Sequence, residues 1–442
     1  MSAQPTTPSR LRASAPAEAD DALPSAAMAS LTTPTSHREL LLVLSTAFVV
    51  RLAYFIELIG FPLFTGPTAD TLKYLGRAEE ILAGSWLGEG VYFHSSPIYS
   101  YLLAAAIGTG AATPLELSSV AWLQLLASVG TAGLTWAAAR ARSGPRAGLI
   151  AGLLYALSPG AVFYDGELLG DFILPLVAAA AAWVALSRPL TLPRLVGLGA
   201  IIGFGALARP NYLVLLGPLA ILVHTTPWKS WAARTAALSL GAALMVAPVT
   251  LRNATVGGDV VMISSNGGVN LYIGNGPGST GAFSAPAYWG SGLEAYSTRE
   301  AEATLGRPLK PSEVSAHYTS RALLWIRENP AAYLALVGRR LRLVVGGYEI
   351  PNHMDLNFFA QQSRVLRWLP ARWGLVLPLA GAGAVLATRR SVRSTLPLLM
   401  VAFYLGSIAA LFFVTGRYRF PIFPLLAALV GAGAVAWPTA SM

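Results

Sequence analysis

The chain has 442 residues, 54% of them hydrophobic and only 12% charged, with a formal charge of +10 and no cysteine. Soluble domains hold about 25% charged residues, so a water-soluble fold is excluded, as are disulfides and thiolate metal sites or nucleophiles. The positive charge does not point to nucleic acid, because the basic residues, mostly arginines, sit in short loops between apolar runs, as orientation signals do.

Residues 1–38 are rich in Ala, Ser, Thr and Pro and lack apolar periodicity, the composition of a disordered tail. An apolar core begins only near Leu40, which argues against a signal peptide. The first span is expected at 40–59, with Arg51 and Glu57 inside it. In the loop that follows, 61–116, Leu72, Leu75, Ile81 and Leu82 recur at near-helical spacing and predict an amphipathic helix at the membrane surface. Residues 97–110 are apolar but short for a span, which suggests a re-entrant or interfacial helix.

Further spans are expected at 117–139, 147–163, 171–187, 195–208, 210–225 and 235–250. The region 251–367 is mostly polar, with turn-forming Gly, Asn, Ser and Pro clusters early and a helical stretch near 311–328. Residues 331–348 look apolar until Arg339, Arg340 and Arg342 are counted. Each costs about 2.5–3.5 kcal/mol at a helix centre, which places the segment at the interface. The last spans are expected at 368–388, 395–414 and 420–437.

These boundaries predict an all-α polytopic membrane protein with about 10–12 transmembrane helices. The expected organisation is a cytoplasmic tail (1–38), an N-terminal transmembrane module (39–250), an extracytoplasmic region with interfacial helices (251–367), and C-terminal transmembrane helices (368–442). With the tail cytoplasmic, Arg140/Arg142/Arg146, Arg188/Arg194, Lys229/Arg234 and Arg389/Arg390/Arg393 fall in short loops on the same side, as the positive-inside rule asks. Both termini are then cytoplasmic.

The unusual polar residues collect on the opposite face. They are Asp70, Lys73, Tyr74 and His94; Tyr164-Asp165-Gly166-Glu167 with Asp171; Arg209 before Pro210; Arg252-Asn253 and the run 264–281; and Arg417-Tyr418-Arg419-Phe420-Pro421. Ionisable residues at membrane depth face a cavity or a partner, and arginine suits phosphate through its fork of donors. Asp165 and Glu167 read as exposed loop residues, and Arg252 as a flank on the side the charge rule disfavours. Tyr272 and Trp289 line a sugar or acceptor site or pack the loop. Five scattered histidines form no metal motif.

The order of these elements resembles the GT-C superfamily of polyprenyl-phosphate-sugar-dependent glycosyltransferases, in the bacterial group related to protein O-mannosyltransferases and the aminoarabinose transferase of lipid A. The residues that carry the resemblance are Asp70, Tyr74, Ala78 and Gly84; Ser96-Pro97-Ile98-Tyr99; and Leu207-Ala208-Arg209-Pro210. Arg252-Asn253, Gly274-Asn275, Tyr348-Glu349 and Arg417 to Pro421 complete the set. Two departures, Asp70-Thr71 for Asp-Glu and Ser95-Ser96-Pro97 for His-Pro-Pro, mean that it names neither sugar nor acceptor.

The resemblance implies a GT-C-like fold in a bacterial cytoplasmic membrane with an extracytoplasmic active site. A sugar would move, with inversion, from a polyprenyl phosphate, in a bacterium undecaprenyl phosphate, to an acceptor lipid, glycan or protein. Asp70 would act as base and Asp171 as a second carboxylate. Arg252, Arg417, Arg209 and Lys73 would meet the donor phosphate; Tyr74, His94, Asn253, Tyr272, Glu349 and Arg419 would line the cavity or contact the acceptor. No cofactor is implied, although two or three carboxylates could hold a divalent cation. Two other readings share these residues: a transporter or lipid flippase without covalent chemistry, and a transferase that ligates whole glycans from a diphosphate carrier.

Overall fold

The computed structural model describes residues 34–59, 70–92, 97–109, 119–225, 227–286, 289, 292–352, 354–388 and 392–440. In chain order its helices are α1 Pro34–Leu58, α2 Asp70–Leu82, α3 Pro97–Gly108, α4 Ser119–Ser143, α5 Pro145–Ala156, α6 Pro159–Gly166 and α7 Ile173–Ser187. Then follow α8 Leu192–Ala208, α9 Leu216–Leu222, α10 Trp228–Thr255, α11 Gly267–Gly274, α12 Leu293–Leu305 and α13 Pro311–Glu328. The remainder are α14 Pro330–Val345, α15 Leu356–Gln362, α16 Arg364–Trp368, α17 Trp373–Thr388, α18 Leu396–Leu411, α19 Gly416–Arg419 and α20 Phe423–Ala440.

Among the described residues five helices are long and apolar enough to cross a membrane, or six if α5 and α6, bent by 50°, form one crossing. The ten spans expected from sequence are matched by length at those six places. The other four hold shorter apolar helices: α8, Pro210–Leu222, α17 and α18. The bend has a local cause. Ser158 caps α6, its hydroxyl accepting from the Ala161 N–H at 3.3 Å, and Pro159 occupies the first turn, so α5 ends and a new helix begins.

Between helices surrounded by lipid, close approach of small residues replaces the hydrophobic drive. Gly199 of α8 and Gly241 of α10 illustrate this: a Cβ on either would overlap the carbonyl of Leu238 or of Val196 on the facing helix. A broad core joins α1, α4, α5, α7 and α20, and a smaller one, built on Val269, Ile273, Trp289, Val314 and Tyr318, organises the polar region.

Four local expectations change. Residues 34–38 open α1 rather than belonging to the tail, whose residues 1–33 lie outside the described residues. On α2 the buried face is Thr71, Tyr74, Ala78 and Ile81, while Leu72 and Leu82 are exposed. Asn266-Gly267-Gly268 is not a turn but the start of α11. A Cβ on Gly268 would strike the Ser315 carbonyl of α13, so the glycine is there for close packing. Finally, α14 buries Arg340, which donates to Asn275 Oδ1 and the Ala409 carbonyl at 3.1 Å each, while Arg339 and Arg342 stay exposed.

Candidate active site

Residues from four separate stretches meet at the end of the bundle where α1 finishes and α4, α7 and α20 begin. Asp70 is the first residue of α2, where its charge complements the positive end of the helix. Next to it, Thr71 Oγ1 donates to the Leu168 carbonyl at 3.2 Å, tying α2 to the loop that carries Asp171. That loop is held from beneath by Gln124. Its Nε2 donates to the carbonyls of Asp165 and Glu167 at 2.6 and 2.9 Å, and its Oε1 accepts from the Tyr99 hydroxyl at 2.8 Å. Asp171 lies in a 3-10 turn, Gly170–Phe172, and is buried.

Pro210 forces extended backbone on Arg209, ending α8 and freeing the arginine side chain from the helix. Thr415 starts α19 by accepting from the Tyr418 N–H at 3.2 Å, which sets Arg417 in a tight turn. The result is a charge chain. Arg209 pairs with Asp171 Oδ1, Arg417 Nε donates to Asp171 Oδ2 at 2.5 Å, and Arg417 NH1 lies 3.3 Å from Asp70 Oδ2. The Arg209 guanidinium also stacks 4.3 Å from the Tyr418 ring centre. Tyr74 packs beneath, edge-on to Tyr99 at 5.1 Å; burial raises its hydroxyl pKa, against the pull of Arg417.

Asp70, Asp171, Arg209, Arg417 and Tyr74 therefore form one site. The Asp70 side chain is 36% exposed against 3% for Asp171, so the first carboxylate is the accessible one. Both oxygens of Asp171 hold guanidiniums, which suits it to positioning rather than to proton transfer.

The remaining candidates lie elsewhere. Arg252 donates to the carbonyls of Leu87 at 2.7 Å, of Glu89 and of Gly90, and stacks 4.4 Å from the Tyr92 ring centre; its donors serve the loop after α2, not an open pocket. Asn253 is fully buried and binds the carbonyls of Val261 and Ile263 at 3.0 and 3.1 Å. Lys73 reaches Glu294 at 3.7 Å, half-exposed. Tyr272 accepts from Arg321 at 2.8 Å within the smaller core, and Trp289 is buried beside it. Arg419 is fully buried, bound to the Gly346 and Tyr348 carbonyls and to Glu349 at 2.8 Å. His94 lies outside the described residues.

Asp165 and Glu167, which the sequence suggested were exposed, are both buried. Asp165 accepts from Arg51 of α1 at 2.9 Å: the arginine inside the first span finds its counter-charge at the end of α6. Glu167 has no hydrogen-bond partner for either carboxylate oxygen among the described residues. Burial pushes its carboxyl from 4.5 up to about 8, with Arg417 opposing the shift and Asp171 adding to it. An acidic residue two positions from Asp165 was the available signal; its burial was not legible. Among the described residues no group of three or more potential ligands is arranged to hold a metal ion.

No protein-family model matches the chain, and no curated protein is similar to it in sequence. Solved structures are similar in fold. The archaeal oligosaccharyltransferase AglB from Archaeoglobus fulgidus, in complex with an inhibitory peptide and a dolichol-phosphate, aligns with a TM-score of 0.51 at 14% identity, over 92% of this chain and 51% of that one. The apo form of the Archaeoglobus fulgidus oligosaccharyltransferase gives 0.50 at 14% identity, over 89% and 50%. The chain thus spans about half the length of these structures. At such identity the likeness shows the fold alone: a multi-pass arrangement of membrane helices like that of these oligosaccharyltransferase structures, helical throughout most of the described residues.

Proposed function

We propose that this chain is a membrane glycosyltransferase that moves a sugar from a polyprenyl-phosphate carrier to an acceptor hydroxyl at the extracytoplasmic surface of a bacterial cytoplasmic membrane. The observation that carries this reading is the charge chain Asp70–Arg417–Asp171–Arg209 at one end of the bundle. The GT-C fold, shared with oligosaccharyltransferase structures, one of them holding a dolichol-phosphate, supports it.

The proposed reaction is a single displacement. The acceptor oxygen attacks the anomeric carbon as its proton passes to Asp70, the bond from that carbon to the phosphate oxygen breaks, and polyprenyl phosphate leaves as an anion. Inversion follows from one displacement. Arg417 has five N–H donors, and its contacts with the two aspartates use two of them, so a phosphate can be met without dismantling the pair. As that phosphate competes for the guanidinium, Asp70 turns to the acceptor. Asp171 keeps both arginines charged and aimed. An apolar groove of about 590 Å³ between Pro210–Leu222 and α10, lined by Leu213, Leu216, Val246 and Met262, suits the isoprenoid tail.

The test is transfer in proteoliposomes supplied with a panel of labelled undecaprenyl-phosphate sugars, together with mass spectrometry of envelope glycolipids and glycans from a deletion strain. A covalent sugar product that requires Asp70 is expected. Movement of lipid or solute with no covalent product would overturn the reading.

A further inference from the structure

The mouth of α17 carries more positive charge than its surroundings neutralise. Arg364, Arg367 and Arg372 precede this helix and are all exposed. Exposed Arg342 of α14 lies nearby, because the end of α14 abuts the start of α17: Trp373 Nε1 donates to the Val344 carbonyl at 2.9 Å, and a Cβ on Gly374 would sit 2.9 Å from the Gly347 Cα.

Of the nearby carboxylates, Glu349 holds Arg419, whereas Asp355 accepts from the Asn357 N–H at 2.8 Å and Glu57 from the Ser363 hydroxyl at 2.5 Å; these last two keep their charge and offset only part of that of the four arginines. Among the described residues Arg367 and Arg372 donate to carbonyls, those of Gln361 and Arg367, and a carbonyl does not cancel a guanidinium's charge.

Apolar side chains are interleaved with these arginines. Trp368 is 82% exposed, Val345 60% and Leu341 49%. A soluble anion has no use for such neighbours, whereas a lipid head group with its acyl chains engages both kinds. This patch shares the bilayer surface of Asp70, on the side where the charge rule disfavours arginine, so orientation does not account for it. Arginine over a phosphodiester, with Trp at the boundary, is the chemistry of an interfacial lipid site.

We propose that Arg342, Arg364, Arg367 and Arg372 form a head-group site for an anionic phospholipid, with Trp368, Leu341 and Val345 against its acyl chains. Since α16 packs on both α1 and α6, and α6 leads into the loop of Glu167 and Asp171, a lipid bound there braces the charged site from its flank.

The test uses the full-length protein in nanodiscs of phosphatidylcholine with phosphatidylglycerol, with retained lipid counted by native mass spectrometry. Wild type is expected to retain phosphatidylglycerol in preference to phosphatidylcholine, and each Arg→Gln change to lower that retention roughly fivefold. R307Q, in an exposed pair with Glu313 far along the chain, is expected to change nothing. Thermal melting checks that the variants remain folded, with W368A as a second, uncharged probe expected to weaken retention. Equal retention by wild type and the quadruple Gln variant, or no preference for the anionic lipid, would overturn the proposal. So would equally tight binding of inorganic phosphate in lipid-free detergent.

Discussion

Arg417 NH1 lies 3.3 Å from Asp70 Oδ2 although 347 positions of sequence separate the two residues. The same guanidinium turns its Nε to Asp171, so one arginine near the C-terminus couples two carboxylates from the N-terminal half. The proposed chemistry depends on that junction.

Asp70→Asn removes the proton acceptor and keeps the shape. Turnover is expected to fall about a hundred- to ten-thousandfold, with donor binding and thermal stability close to wild type. Single-turnover transfer of a labelled sugar measures the first and isothermal binding the second. Full turnover would remove Asp70 as the base.

Asp171→Asn leaves Arg209 and Arg417 facing each other without their shared counter-charge. Breaking a buried pair costs about 3–5 kcal/mol, so thermal melting is expected to fall and donor binding to weaken together. A variant as stable as wild type would show that other groups compensate these arginines.

Arg252 and Arg417 should separate in a paired experiment. R417Q is expected to raise the Kd for a polyprenyl-phosphate sugar. R252Q instead loses hydrogen bonds to the 87–90 loop, worth about 1.5–3 kcal/mol each for a charged donor, and is expected to lower melting temperature first. If R252Q weakens donor binding at unchanged stability, its guanidinium belongs to the donor site after all.

Glu167 sets a pH dependence. Its folded-state pKa, about 8, lies above the ordinary 4.5, so the folded protein holds this proton more tightly than the unfolded chain does. Its contribution to stability is full below the ordinary value and is lost as pH rises through about 8. Melting temperature in detergent is therefore expected to fall between pH 6 and 9, and Glu167→Gln to flatten that slope. An identical slope in the variant would assign the effect to another group.

Gly268→Ala tests the contact between α11 and α13. The added methyl meets the Ser315 carbonyl, and overpacking of this kind costs about 1–3 kcal/mol. Limited proteolysis of the polar region is expected to accelerate. Unchanged protection would show that the two helices can separate without loss.

Arg51 illustrates how far local reading goes. A charge inside an apolar run announces a buried partner, but nothing in residues 40–59 says that the partner is Asp165. Likewise the short outer motifs marked Arg209, Arg417 and Asp171 as candidates. Arg252, which sequence ranked with them, proved to serve a loop, because its role depends on which carbonyls the chain folds back to offer.

Hydrophobic run length and basic loops determined from sequence alone that this chain is a multi-pass helical membrane protein, since hydrocarbon leaves the backbone no alternative to local pairing. Which arginines meet which carboxylates was decided only by the tertiary structure. Helix crossings set by close glycine contacts and by a proline-imposed break bring distant turns to one point, and no window of sequence contains that distance.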